Sequence, residues 1–147
     1  MLTQLIPDQI SNFWDIIKFA VEESLPPIAG DSPNKMNKIL AALLIGKAQC
    51  WASYTKGEEF NKFEGIVVTK ILFDDISDTK SLLIYCLYGY ENVDKRSWLG
   101  GLKVLTKYAM SQGCIQIVGY SNVSLILKVV KSLGGEAEQT FIKLPFV

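Results

Sequence analysis

The chain contains no histidine, and that absence removes whole classes of chemistry. Ser-His-Asp and Cys-His nucleophilic sites need an imidazole to carry the proton, and His-containing zinc or iron centres need it as a ligand. Acid–base work falls to a carboxylate, a tyrosine, a lysine, a cysteine or water. Net charge is lacking as well. Fifteen basic and fifteen acidic side chains cancel, so no overall field draws in nucleic acid or an anionic membrane. A local basic pocket for one phosphate is compatible with that zero sum. Cysteine is scarce: Cys50, Cys86 and Cys114 are an odd number with no pair at metal-ligand spacing. All three are expected as buried, reduced thiols on strands, and no metal is expected. No apolar run approaches the roughly 20 residues that span a bilayer. Met1 to Asp8 hold neither a basic stretch nor a long apolar one, so no secretory signal is read there and a reducing, cytoplasmic location is expected.

What is present is an ordinary globular composition, 49% apolar and 20% charged over 147 residues, enough for one domain spanning 1–147 with a sizeable core. Leu2 to Ile6 reads as a short strand. Ile10, Phe13, Trp14, Ile17 and Val21 fall at helical spacing after Pro7-Asp8, and Pro26-Pro27 with Gly30 end that helix. Ser32-Pro33 offers an N-cap and a first-turn proline for a second helix, with Gly46 as its stop. Lys47 to Thr55 alternates, placing Cys50, Ala52 and Tyr54 opposite Gln49, Trp51 and Ser53. After a turn at Lys56-Gly57-Glu58, strands are expected over Phe63–Phe73 and Ser81–Tyr90, their short links arguing for an antiparallel meander. The pattern then becomes helix from Ser97, strand from Cys114 to Gly119, helix from Asn122 to Leu133, and a final strand over Glu138–Phe146.

Strand Leu82 to Gly89 therefore delivers its C-terminal end to a helix opening at Ser97-Trp98-Leu99-Gly100-Gly101. A helix N-terminus at the end of a parallel strand is a natural anion site, because its N–H groups and dipole both favour phosphate. This order resembles the acyl-CoA-binding half of the GNAT (N-acetyltransferase superfamily) fold. The resemblance implies a mixed α/β sheet, an antiparallel N-terminal meander joined to a parallel strand–helix–strand half. Leu87 and Tyr88 would then pair with a pantetheine arm. Arg96, Ser97, Trp98, Leu99, Gly100 and Gly101 would hold the pyrophosphate, and Asn122 would stand before the last helix.

The family's Gln/Arg-x-x-Gly-x-Gly/Ala loop is altered. With Gly100 as its first glycine, Ser97 takes the Gln/Arg position, Leu102 takes the last small one, and Arg96 lies one residue out of register. Gly100-Gly101 reads equally as a packing pair. Where the family often has a tyrosine that protonates the departing thiolate, this chain has Val130, leaving Tyr120 as the candidate acid. Glu64 and Glu91 are candidate bases. Three functions fit: an N-acyltransferase using acetyl-CoA or another acyl-CoA and an amine acceptor, a non-catalytic interaction or structural module with a protein partner, and a sensor that binds acyl-CoA without turnover. The compact, divergent form also resembles GNAT-like proteins of bacteriophages, which would allow a virion location. Self-association into a homo-oligomer stays open.

Overall fold

The computed structural model describes residues 1–56, 58–59, 61–90 and 95–146. Gly57 of the expected turn and Glu91, one of the two candidate bases, lie outside the described residues. One sheet of five strands runs β1 (Leu2–Gln4), β2 (Gln49–Lys56), β3 (Asn61–Asp74), β4 (Thr79–Gly89), β5 (Gln116–Gly119), in that spatial order. The first four pair antiparallel, and β5 lies parallel to β4. The expected meander joined to a parallel half is therefore present.

Helices cover both faces. α1 (Pro7–Asn12), α2 (Trp14–Glu23) and α3 (Lys35–Leu44) supply Ile10, Ile17, Val21 and Leu43 to a core with Cys50, Ala52, Ile66, Val68 and Cys86. α4 (Lys95–Ser111) packs Leu105 and Ala109 on the other face against Leu2, Trp51, Val67 and Leu82. The alternation read in β2 is realised, since Cys50 and Ala52 face one core and Trp51 the other. Among the described residues no helix is long and apolar enough to cross a membrane.

Several boundaries differ from the sequence reading. The first helix breaks at Phe13, whose φ of −106° departs from helical geometry while its ring meets Phe63 edge-on at 5.1 Å. α3 begins two residues beyond Ser32-Pro33, at Lys35, after Asn34 adopts a left-handed φ of 57°. Cys114 is half-buried and precedes β5 rather than lying on it. The cause is how α4 ends. Gly113, at φ +77°, donates to Met110 O, and Cys114 N–H is spent on Ala109 O at 2.9 Å. This is a Schellman closure, which needs a residue free to take positive φ. The strand ladder can only start afterwards, with Ile115 N–H to Lys80 O at 2.9 Å.

The last helix, α5 (Ser124–Ser132), buries none of its residues. The final strand expected over Glu138–Phe146 is not formed. Ile142 and Leu144 are 82% and 85% exposed there, and apolar alternation makes a strand only where a neighbouring ladder receives it.

Candidate functional site

The site is built by a mismatch in length between neighbouring strands. β4 runs from Thr79 to Gly89, but β5 accompanies it only from Ser81↔Gln116 to Ile84↔Gly119. From Tyr85 to Gly89 the side of β4 that faced β5 carries no strand among the described residues. β4 thus outruns β5 by five residues, and a β-bulge marks where their pairing ends. Val68 lies opposite Cys86 and Thr69 opposite Ile84, so Tyr85 is an extra residue on β4. A bulge turns two consecutive side chains to one face. Tyr85 and Cys86 accordingly both pack on the α1–α3 side. Burial, and then the neighbouring Cys86 thiol, push the Tyr85 phenol above its ordinary pKa, so it stays protonated at neutral pH.

The ladder also decides which backbone groups face the notch. Tyr90 donates its N–H to Glu64 O at 3.0 Å. Antiparallel pairing alternates, so the N–H and C=O of Tyr88 turn toward β3 while those of Leu87 and Gly89 turn to the open edge. The two expected pantetheine contacts thus separate. Leu87 presents backbone to the notch. Tyr88 presents its ring to the α2 side, edge-on to Phe19 at 5.7 Å and to Tyr90 at 5.0 Å. Tyr90 is tied down in turn by its hydroxyl donating to Ile16 O at 2.6 Å.

Beyond β4 the chain is already helical at Lys95, ahead of the expected start at Ser97. This shift relocates the glycines. Leu99, Gly100 and Gly101 lie beyond the first turn, where N–H groups bond carbonyls four residues back. Lys95, Arg96 and Ser97, the first described residues of α4, are all exposed and lie toward the positive end of its dipole. Trp98 and Leu99 are half-buried. A Cβ on Gly100 would meet nothing within 4 Å, whereas one on Gly101 would touch Leu2 Cδ2 at 3.8 Å. Gly101 is the one of the pair that packs.

Across the notch, Tyr120 directly follows β5 and meets Phe141 edge-on at 5.1 Å. Asn122 is exposed, two residues before α5. Val130, at the position of the family's tyrosine, serves the end of α5. Its carbonyl accepts from Gly135 N–H at 2.9 Å, and a Cβ on Gly135 would come within 2.6 Å of its Cγ1. Glu64 accepts a hydrogen bond from Ser53 Oγ at 3.3 Å. The sequence reading missed the bulge at Tyr85 and the open-edge position of Gly89, because strand register is not written in composition. It also passed over Lys70, although a lysine inside the apolar run Ile66–Leu72 was a visible signal.

This sheet, with its bulged and parting parallel pair, is the GNAT acetyltransferase fold. The sequence matches no family model and no curated protein. Solved structures supply the likeness. AAC(6')-Iy, in complex with a bisubstrate analogue, superposes with a TM-score of 0.72 at 10% identity over 100% of this chain and 97% of that one. The ribosomal-protein-alanine N-acetyltransferase of Brucella melitensis biovar Abortus 2308 gives 0.68 at 13% identity over 99% of each chain. A predicted acetyltransferase from Clostridium acetobutylicum, solved with acetyl-CoA, gives 0.68 at 13% identity over 99% of this chain and 95% of that one.

Proposed function

We propose that the chain is an acyl-CoA-dependent N-acyltransferase. The observation that carries this reading is the notch between β4 and β5, with a bulge at its inner end and unladdered backbone at Leu87 and Gly89. An extended amide-bearing arm can complete that edge as a strand would. The pyrophosphate would lie at the first turn of α4, where Lys95 and Arg96 add charge and Ser97, Trp98, Leu99, Gly100 and Gly101 complete the wall. Acyl-CoA supplies an activated thioester. The amine forms the C–N bond at the acyl carbon, the C–S bond breaks with its electron pair on sulfur, and the proton lost from nitrogen balances the one gained by the thiolate. Open-edge amides polarise the carbonyl. Tyr120, beside the notch, is the group assigned to protonate the sulfur, and Ser121 Oγ closes the turn behind it by accepting from Val123 N–H at 3.1 Å.

Thermal-shift titration with acetyl-CoA and with CoA tests this reading. Both should raise Tm, by about 2–4 °C per kcal/mol of binding linkage for a domain near this size. Tyr120→Phe should lower kcat while leaving the stabilisation by acetyl-CoA intact. If millimolar acetyl-CoA and CoA leave Tm unchanged, the non-catalytic interaction module replaces the enzyme.

A further inference from the structure

A second feature adjoins the notch from the α3 side. Between α3, the connection leading into it and the sheet lies a cavity of about 350 Å³. Four lysines line it: Lys35 and Lys38 from α3, Lys47 from the turn before β2, and Lys70 from β3. Val68 forms part of its apolar floor, and Tyr85, the bulge residue where β4 and β5 part, stands at its edge. No acidic side chain of the described residues lines it. Lys35 is answered by Asp31 at 3.0 Å, a carboxylate that is itself fully exposed. Among the described residues no ion pair engages Lys38, Lys47 or Lys70. Lys47 is also held in place, since its N–H closes the end of α3 on Ala42 O at 2.9 Å.

In a chain whose charges sum to zero, this convergence is local. Like charges drawn around a small, partly apolar space repel one another, and a counter-charge entering that space relieves the repulsion. The volume suits a small metabolite and falls at the low end for ligand pockets. Because Tyr85 belongs to both the cavity edge and the inner end of the notch, a thioester held in the notch would meet whatever the cavity holds.

We propose that this cavity binds the carboxylate or phosphate group of the amine acceptor, making the substrate a small anionic amine. The assignment rests on the acyl-transfer reading for the word acceptor, and on the four lysines alone for the anion. It sets this chain apart from an enzyme acting on aminoglycosides, which are polycations at neutral pH and would be repelled by such a lining.

Isothermal titration of the full chain without CoA tests it, using L-glutamate and phosphoethanolamine as probes at up to about 10 mM, against N-acetylglucosamine and kanamycin as neutral and cationic controls that carry no carboxylate or phosphate. At least one anionic probe should bind, and which one identifies the group as carboxylate or phosphate. Raising salt to about 300 mM should weaken it. Lys38→Gln and Lys47→Gln, both on exposed positions, should each weaken binding about threefold to tenfold, whereas Lys128→Gln on α5 should not. Binding by neither anion, equal binding of N-acetylglucosamine or kanamycin, or indifference to both lysine variants would overturn the proposal. A parallel titration with acetyl-CoA separates the two readings. Anion binding without acetyl-CoA binding removes acyl transfer and leaves the anion site. Acetyl-CoA binding without anion binding removes only the anionic acceptor.

Discussion

At the residue scale, Thr69 links the sheet's buried polar groups. Its hydroxyl, fully buried, accepts from Trp51 Nε1 at 2.9 Å and donates to Gln49 Oε1 at 3.0 Å. One oxygen thereby satisfies an indole N–H and a side-chain carbonyl that water does not reach. Thr69→Val keeps the shape and strips the hydroxyl, leaving both groups unpaired. Urea denaturation should show a loss of about 1–3 kcal/mol, smaller for Thr69→Ser, which restores the oxygen. Gly100 predicts the opposite sign. It is helical and a Cβ there meets nothing, so Gly100→Ala should stabilise by about 0.5–1 kcal/mol. Gly135→Ala should destabilise, because its Cβ would sit within 2.9 Å of Val130 O.

At the scale of elements, the two sides of β4 differ in what their backbone is doing. Tyr88 bonds β3, while Leu87 faces the notch. Proline removes one N–H wherever it is placed. Tyr88→Pro should therefore unfold the meander. Leu87→Pro should cost much less stability and yet abolish the Tm gain from acetyl-CoA. Circular dichroism melts with and without the ligand separate these outcomes. At the start of α4, Arg96→Ala should weaken acetyl-CoA binding by about 1–2 kcal/mol, the worth of one charge-assisted contact.

For the whole molecule, stability is concentrated in β2, β3 and β4 with the helices laid on them, and it carries a pH signature. Burial, and then the nearby Cys86, push the Cys50 thiol up to about 12 from 9.0, and burial first pushes Tyr90 to about 12 from 10.0. Each protonated group is favoured by the folded state. The stability it contributes is complete below the unfolded value and is lost as pH rises toward the folded one. Melting temperature should hold to about pH 9 and then fall toward pH 12, and Cys50→Ala should flatten the start of that fall. The C-terminal part behaves differently. α5 buries no residue, and Ile115, Val123, Leu125 and Leu133 are more than half exposed. Amide exchange there should run orders of magnitude faster than in β3, because local opening costs little where few apolar contacts are lost.

What the sequence determined by itself was the kind and order of elements through β5 and α5, the break of the first helix at Phe13 apart, because periodicity, prolines and glycines act over a few neighbouring residues. It also determined the absence of imidazole chemistry and the corner where β4 feeds α4. The Ser97–Gly101 segment was legible as helix, but not as its first turn, since Lys95 is already helical and the glycines fall past that turn. Only the tertiary structure decided the rest. The bulge at Tyr85 and the outward turn of Leu87 arise from register between strands far apart in sequence. Four lysines spread from position 35 to 70 meet around one cavity because α3, the turn before β2 and β3 are brought together there. The strand pattern in Glu138–Phe146 shows the same limit, for alternation encodes a willingness to pair, and only a neighbour with open N–H and C=O groups turns it into a strand.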